Sequence, residues 1–177
     1  MFNVTDDSME HLFAPWRMEY IGSKQPEGCL FCRVLAAPPS EDEANLVVWR
    51  PQGGVVLLNR FPYNNGHLMV APAAHVGSLA DLDDQQSLQL MHALRRSLTV
   101  LEGALQPEGF NVGVNQGKVA GAGIPDHVHV HVVPRWNGDT NFMPVLGETK
   151  VISQHLASSW KQLAHAFAAF SRDVGGG

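Results

Sequence analysis

The run His127-Val128-His129-Val130-His131-Val132-Val133, closed by Pro134 and Arg135, constrains this chain more than any other stretch. Histidine and β-branched valine alternate at period two, the pattern of a strand whose two faces meet different surroundings. The valines are expected to face a core. The three imidazoles then share the opposite face, successive ones roughly 6.6 Å apart at two residues of rise. Imidazole serves as base, nucleophile or metal ligand near neutral pH, so such a face is expected to line a cleft. The run is internal and interrupted by valines, which excludes a purification tag.

At 177 residues the chain suits one domain with a proper core. Its net charge of -5 argues against a general nucleic-acid binder, which would carry a basic stripe. It leaves room for a small anionic ligand, because a few local cations and backbone amides bind phosphate inside an acidic protein. No stretch approaches the roughly 20 apolar residues of a membrane span. Residues Met1–Glu10 are polar and acidic, without the layout of a secretion signal, so a cytoplasmic location is expected.

The two cysteines stand in Gly28-Cys29-Leu30-Phe31-Cys32. Three readings are open for such a pair: half of a metal site that needs two further ligands, a redox pair, or two buried small hydrophobes. The redox reading is the weakest, because no thioredoxin-like strand–helix context surrounds the pair.

In chain order, residues 1–27 read as an N-terminal extension packed on the body, with a short helix in Leu12–Ile21. Leu46–Trp49 and Val55–Leu58 read as antiparallel strands joined at Pro51-Gln52-Gly53-Gly54. A turn-rich loop, Asn59–Gly66, follows, with Asn65-Gly66 suited to positive φ. His67–Pro72 is a strand ended by proline. A long helix is expected from near Asp81 or Asp83 to about Leu105, with Leu88, Met91, Leu94, Leu98, Leu101 and Leu105 as its buried stripe. Gly109–Gln116 is a further strand, and residues 117–126 form a glycine-rich loop without phosphate-loop order. A C-terminal helix is expected over about Val151–Phe170, burying Ile152, Leu156, Trp160, Leu163, Phe167 and Phe170, before a disordered Gly175–Gly177. His92, His155 and His165 read as surface residues. The sum is an α+β fold: an antiparallel sheet of about five strands, one long central helix and a C-terminal helix.

His127-Val-His129-Val-His131-Val-Val resembles the H-φ-H-φ-H-φ-φ signature of histidine triad (HIT) proteins. Leu58–Pro72 and Gly109–Gln116 resemble that family's two nucleotide-binding segments, in the right order, so residues 28–140 are expected to be the HIT domain, and 141–177 the C-terminal helix with its tail. Asn59, Gln116 and Val133–Asp139 are similar to the fragile-histidine-triad branch. Trp16–Tyr20, Thr140–Phe142 and Thr149–Ile152 resemble its bacterial diadenosine tetraphosphate phosphorylases.

The resemblance implies a homodimer that cleaves at an α-phosphate of dinucleoside polyphosphates such as diadenosine tetraphosphate. His129 carries over as the nucleophile that forms a nucleotidyl-histidine. The carbonyl of His127 pins its ring, and His131 donates to phosphate oxygens. Asn59, Gln116 and His67 carry over to the substrate pocket or its support. For Arg135 and Lys150 a solvated charge is the better reading than a phosphate contact. Many bacterial members bind zinc through a C-x-x-C pair, a histidine after the proline-ended strand and the first triad histidine, here Cys29, Cys32, His75 and His127. No organic cofactor is implied. Where relatives often carry glutamine and serine or threonine, this chain has Gly123-Ile124-Pro125-Asp126, so the resemblance does not set the acceptor. Hydrolysis or other nucleotidyl transfer leads, phosphorolysis is the alternative, and a non-catalytic nucleotide- or zinc-binding module is the rival of a different class.

Overall fold

The computed structural model describes residues 28–139 and 155–174. The expectations for the N-terminal extension, Thr140–Phe142, Thr149–Ile152 and the glycine tail lie outside the described residues. Within them the α+β expectation holds. A short helix α1 (Leu30–Ala36) precedes strands β1 (Val47–Trp49), β2 (Gly54–Leu58) and β3 (Leu68–Pro72). The long helix α2 (Asp84–Leu105) comes next, then β4 (Gly109–Gly113), β5 (Val130–Arg135) and α3 (Leu156–Val174). The five strands form one antiparallel sheet in the order β1-β2-β3-β5-β4.

The period-two pattern decides what each face meets. Val48, Val56, Leu58, Leu68, Val70, Val130 and Val132 point to one side and pack with Leu90, Ala93, Val100, Leu101, Leu163 and Phe167 of α2 and α3. Val47, Val55, Leu57, Met69 and Ala71 point to the other side and pack under Phe31 and Val34 of α1. In β5 the register pairs His131 with Met69 and Val132 with Leu68, so the histidine face is the α1 face. The valines face the helices, as the alternation requires.

Helix α2 starts where its cap allows. The Asp83 side chain accepts from Gln86 N–H at 2.7 Å, and Gln86 Oε1 accepts from Asp83 N–H at 3.1 Å, a reciprocal capping box. The expected stripe is rotated, however. Leu88 and Met91 are 57% and 59% exposed, while the buried residues are Leu90, Ala93, Ser97, Val100 and Leu101. Small Ala93 and Ser97 bring the helix close to the sheet, and Ser97 Oγ is satisfied by the Ala93 carbonyl at 2.8 Å. Leu94, Leu98 and Leu105 flank this face half-buried.

Helix α3 begins at Leu156, after His155, later than the sequence suggests, and runs on to Val174. Leu163 and Phe167 are buried apolar residues of this helix, with Leu156, Trp160 and Phe170 beside them, and Trp160 Nε1–H donates to the Val47 carbonyl at 2.7 Å. Strand β4 ends at Gly113, short of the expected Gln116, and forms one edge of the sheet. His92, His155 and His165 are exposed.

Candidate active site and metal centre

Two sequence features converge on the α1 face: the histidine strand and the Cys29–Cys32 turn. His127 and His129 are buried, and His131 is half-buried. A carbonyl oxygen can only accept a hydrogen bond, so each carbonyl that touches an imidazole fixes a tautomer. The His127 carbonyl lies 2.9 Å from His129 Nδ1, which therefore carries the proton and leaves the lone pair on Nε2. Burial pushes the His129 imidazole below its ordinary pKa, with the His127 carbonyl pulling the other way. The net result favours the neutral ring, the form that can attack an electrophile.

A second chain of bonds starts from the Asn59–Gly66 loop. The Tyr63 backbone N–H donates to His67 Nδ1 at 3.0 Å. That nitrogen is therefore unprotonated, and His67 Nε2–H donates to His131 Nδ1 at 3.0 Å. The proton of a neutral His131 then sits on Nε2. A lone pair on one ring and an N–H on the next thus occupy equivalent positions on rings whose centroids are 4.9 Å apart. His67 is 0% exposed, and the Tyr63 ring stacks on it with centroids 5.0 Å apart.

Asn59 shapes this loop. Its Oδ1 accepts from Phe61 N–H at 2.9 Å, and its Nδ2 lies 3.5 Å from His67 Nδ1. The loop closes through Gly66, whose φ of +73° strains any residue with a Cβ and whose added Cβ would press on the Leu105 side chain. Gln116 is turned elsewhere: its Oε1 accepts from Leu79 N–H at 2.9 Å, and its Nε2 donates to Ser78 Oγ at 3.1 Å. It ties the end of β4 to the turn before α2 and makes no bond to the triad. Arg135 is engaged by Asp139 and Asn111, with Nη2–H to Asp139 Oδ1 at 2.8 Å and Nη1–H to Asn111 Oδ1 at 2.7 Å. Lys150 lies outside the described residues.

On the other side of His127 the four expected ligands meet. His127 Nε2–H donates to the Pro72 carbonyl at 2.9 Å, which turns the unprotonated Nδ1 toward Cys29 Sγ at 3.3 Å and Cys32 Sγ at 3.7 Å. His75 Nδ1 lies 3.2 Å from Cys32 Sγ. All four donor atoms fall within 4.8 Å of one another. Burial and the neighbouring Cys29 push the Cys32 thiol above its ordinary pKa, a condition that a bound cation reverses. Burial, opposed by the Pro72 carbonyl, holds His127 below its ordinary value, as a neutral ligand requires. Two thiols and two imidazoles, one already oriented by a carbonyl, fit a closed tetrahedral metal site.

Sequence reasoning passed over three groups here. They are the Tyr63 amide and the Pro72 carbonyl, which are backbone atoms, and Phe31. The Phe31 ring lies against His129 and His127 with centroids 4.8 and 5.0 Å away. Its place between the two cysteines was the available signal.

A family model described as the HIT domain matches residues 41–138, more than half of the chain. The chain belongs to the HIT family. This HIT protein is 39% identical over 171 residues to the "AP-4-A phosphorylase" of Mycobacterium tuberculosis, covering 92% of this chain and 86% of that one. It is 32% identical over 93 residues to the "Bis(5'-nucleosyl)-tetraphosphatase [asymmetrical]" of Schizosaccharomyces pombe, covering 52% of this chain and 50% of that one. Among solved structures, a Zn-bound histidine triad family protein from Mycobacterium smegmatis superposes with a TM-score of 0.63 at 25% identity. That alignment covers 82% of this chain and 97% of the other.

Proposed function

We propose that this HIT protein is a dinucleoside polyphosphate phosphorylase that works through a nucleotidyl-His129 intermediate. The observation that carries the proposal is the paired tautomers: His129 presents a lone pair and His131 an N–H. In the first half-reaction His129 Nε2 forms a bond to the α-phosphorus of diadenosine tetraphosphate, and the bond from that phosphorus to the bridging oxygen breaks. ATP leaves, with His131 Nε2–H donating to the oxygen on which charge develops. In the second, an oxygen of inorganic phosphate attacks the adenylyl phosphorus, ADP forms and His129 is restored. Dividing one displacement into two lets the same buried ring serve as nucleophile and then as leaving group. His67 acts through His131 rather than on substrate, and Asn59 shapes the loop that carries the Tyr63 amide. Gln116 remains our candidate for a polyphosphate contact, reached from its seat on Ser78 and Leu79.

Phosphorolysis takes precedence over hydrolysis because the relative named as a phosphorylase matches nearly the whole chain, whereas the tetraphosphatase matches about half. Hydrolysis is the second reading, and it differs only in the acceptor. Assaying diadenosine tetraphosphate with and without labelled inorganic phosphate separates the two. Phosphorolysis predicts ATP and ADP with label in the ADP. ATP and AMP, formed at a rate indifferent to phosphate, would establish hydrolysis. A non-catalytic module predicts neither pair.

Zinc is the metal we assign to Cys29, Cys32, His75 and His127. It would brace α1 against the histidine strand and supply no Lewis acid, because four protein ligands fill its coordination. We infer a homodimer, supported by the position of β4 at an edge of the sheet with Val112 45% exposed and by the outward Leu88 and Met91. Both thiols are free, which suits a reducing cytoplasm, and no described helix is long and apolar enough to cross a membrane.

A further inference from the structure

Phe31 is 0% exposed and stands on the first turn of α1, between the two cysteines of the metal cluster. Its ring does not simply fill space under the sheet. It lies against the ring of His129 with centroids 4.8 Å apart and planes inclined at 43°, and against His127 at 5.0 Å and 46°. The bond from His129 Nδ1 to the His127 carbonyl fixes one point of the nucleophilic ring. It leaves a rocking motion about the N–H···O direction, and that motion swings Nε2 sideways. Phe31 is in contact with the ring, and the His131 ring meets it at 69° with centroids 4.9 Å apart. Aromatic contacts of this kind have a preferred geometry and resist tilting.

We propose that Phe31 is a positioning residue for His129: the phenyl ring sets the direction of the Nε2 lone pair. This rests on the reading of His129 as the nucleophile. In-line attack on phosphorus tolerates little misalignment, roughly 0.5 Å and 10–20° for a productive site. Phe31 therefore makes the Cys29–Cys32 turn part of the catalytic apparatus by a second route besides the His127 carbonyl. The turn that holds the metal also holds the wall against which the nucleophile rests.

The test uses the metal-loaded full chain with Phe31→Leu, which keeps the site apolar and leaves all four ligands in place. Val34→Ala is the control, because Val34 is equally buried on the same helix in the same cluster, and the ring contacts described for the triad do not involve it. Three quantities are read. They are the single-turnover rate of nucleotidyl-enzyme formation from diadenosine tetraphosphate, KM, and metal per chain by elemental analysis. The His129 ring nitrogens are followed separately by 15N–1H correlation NMR without substrate.

Phe31→Leu is expected to slow nucleotidylation about tenfold or more, with KM within about twofold and metal content unchanged. Its His129 ring resonances should be broadened or doubled. Val34→Ala should keep the wild-type rate and ring signals. A rate within about twofold of wild type with unaltered ring signals, an equal loss in Val34→Ala, or loss of metal from Phe31→Leu would each overturn the proposal. If Phe31→Leu does not fold, Phe31→Met, closer in volume but flexible, is read by the same criteria. Failure of the wild-type protein to form a nucleotidyl-enzyme would sink the catalytic reading instead, and the NMR comparison would still decide the positioning claim.

Discussion

Replacing His67 with leucine separates a residue that binds substrate from one that acts through its neighbour. His67 is 0% exposed and sits between the Tyr63 N–H and His131 Nδ1, each 3.0 Å away. Leucine leaves one donor and one acceptor without this partner. At about 1–3 kcal/mol for each unsatisfied group, the fold loses about 2–6 kcal/mol. Water reaches the half-buried His131 and lowers the cost there, which places the expectation in the lower half of that range. For catalysis the ceiling is complete loss of an aimed donor, about 10²–10³ in kcat. Since His131 itself stays, we expect a fall of about 10- to 100-fold, with KM within about twofold because His67 lies behind the ring that meets substrate. Steady-state kinetics on diadenosine tetraphosphate at saturating phosphate measures this, with a urea melt to establish the folded fraction. A kcat within about threefold of wild type would refute the relay. So would a raised KM at unchanged kcat, which would make His67 a substrate contact.

Metal removal provides an independent check on the Cys29–Cys32–His75–His127 cluster. Exhaustive chelation, or Cys32→Ser, should lower the melting temperature by at least about 5 °C, near 2 kcal/mol for a chain of this size. Elemental analysis of protein never exposed to chelator should find one zinc per chain, and about 0.1 or less would count against the site. The phase of α2 is tested by contrast. Leu101→Ala should cost about 2–5 kcal/mol in a urea melt, because Leu101 is 0% exposed. Leu88→Asp combined with Met91→Asp should leave the fold of a monomer within about 0.5 kcal/mol and weaken self-association in sedimentation. An unchanged dimer content would remove this face from the interface.

The sheet was legible because β-structure writes its two faces at period two. Val130 and Val132 against His129 and His131, and Val56 and Leu58 against Val55 and Leu57, declare opposite sides without any knowledge of partners. Helix α2 was less legible. It carries leucines on more than one side, and a stripe drawn through the large ones selects Leu88 and Met91. The face that meets the sheet is built partly from Ala93 and Ser97, whose small size is what permits close approach. The metal quartet could be assembled from the resemblance because ligand identity is a side-chain property. The His127 carbonyl that sets the His129 proton came with the resemblance, but the proton positions of His127 and His131 could not be read. They are set by the Pro72 carbonyl and the Tyr63 amide, backbone groups that only folding aims. Gln116 shows the same limit, since its bonds to Leu79 and Ser78 depend on where the turn before α2 comes to rest.

The central claim is that His129 Nε2, with its lone pair exposed by the His127 carbonyl, becomes covalently bonded to the α-phosphorus. Quenching the protein with diadenosine tetraphosphate in the absence of inorganic phosphate, and mapping the product by mass spectrometry of peptides kept at alkaline pH, measures this directly. The account predicts an adenylyl group on His129, absent from His129→Ala and discharged as ADP when phosphate is added. Turnover in the His129→Ala variant at the wild-type rate, or adduct on a different residue, would contradict it.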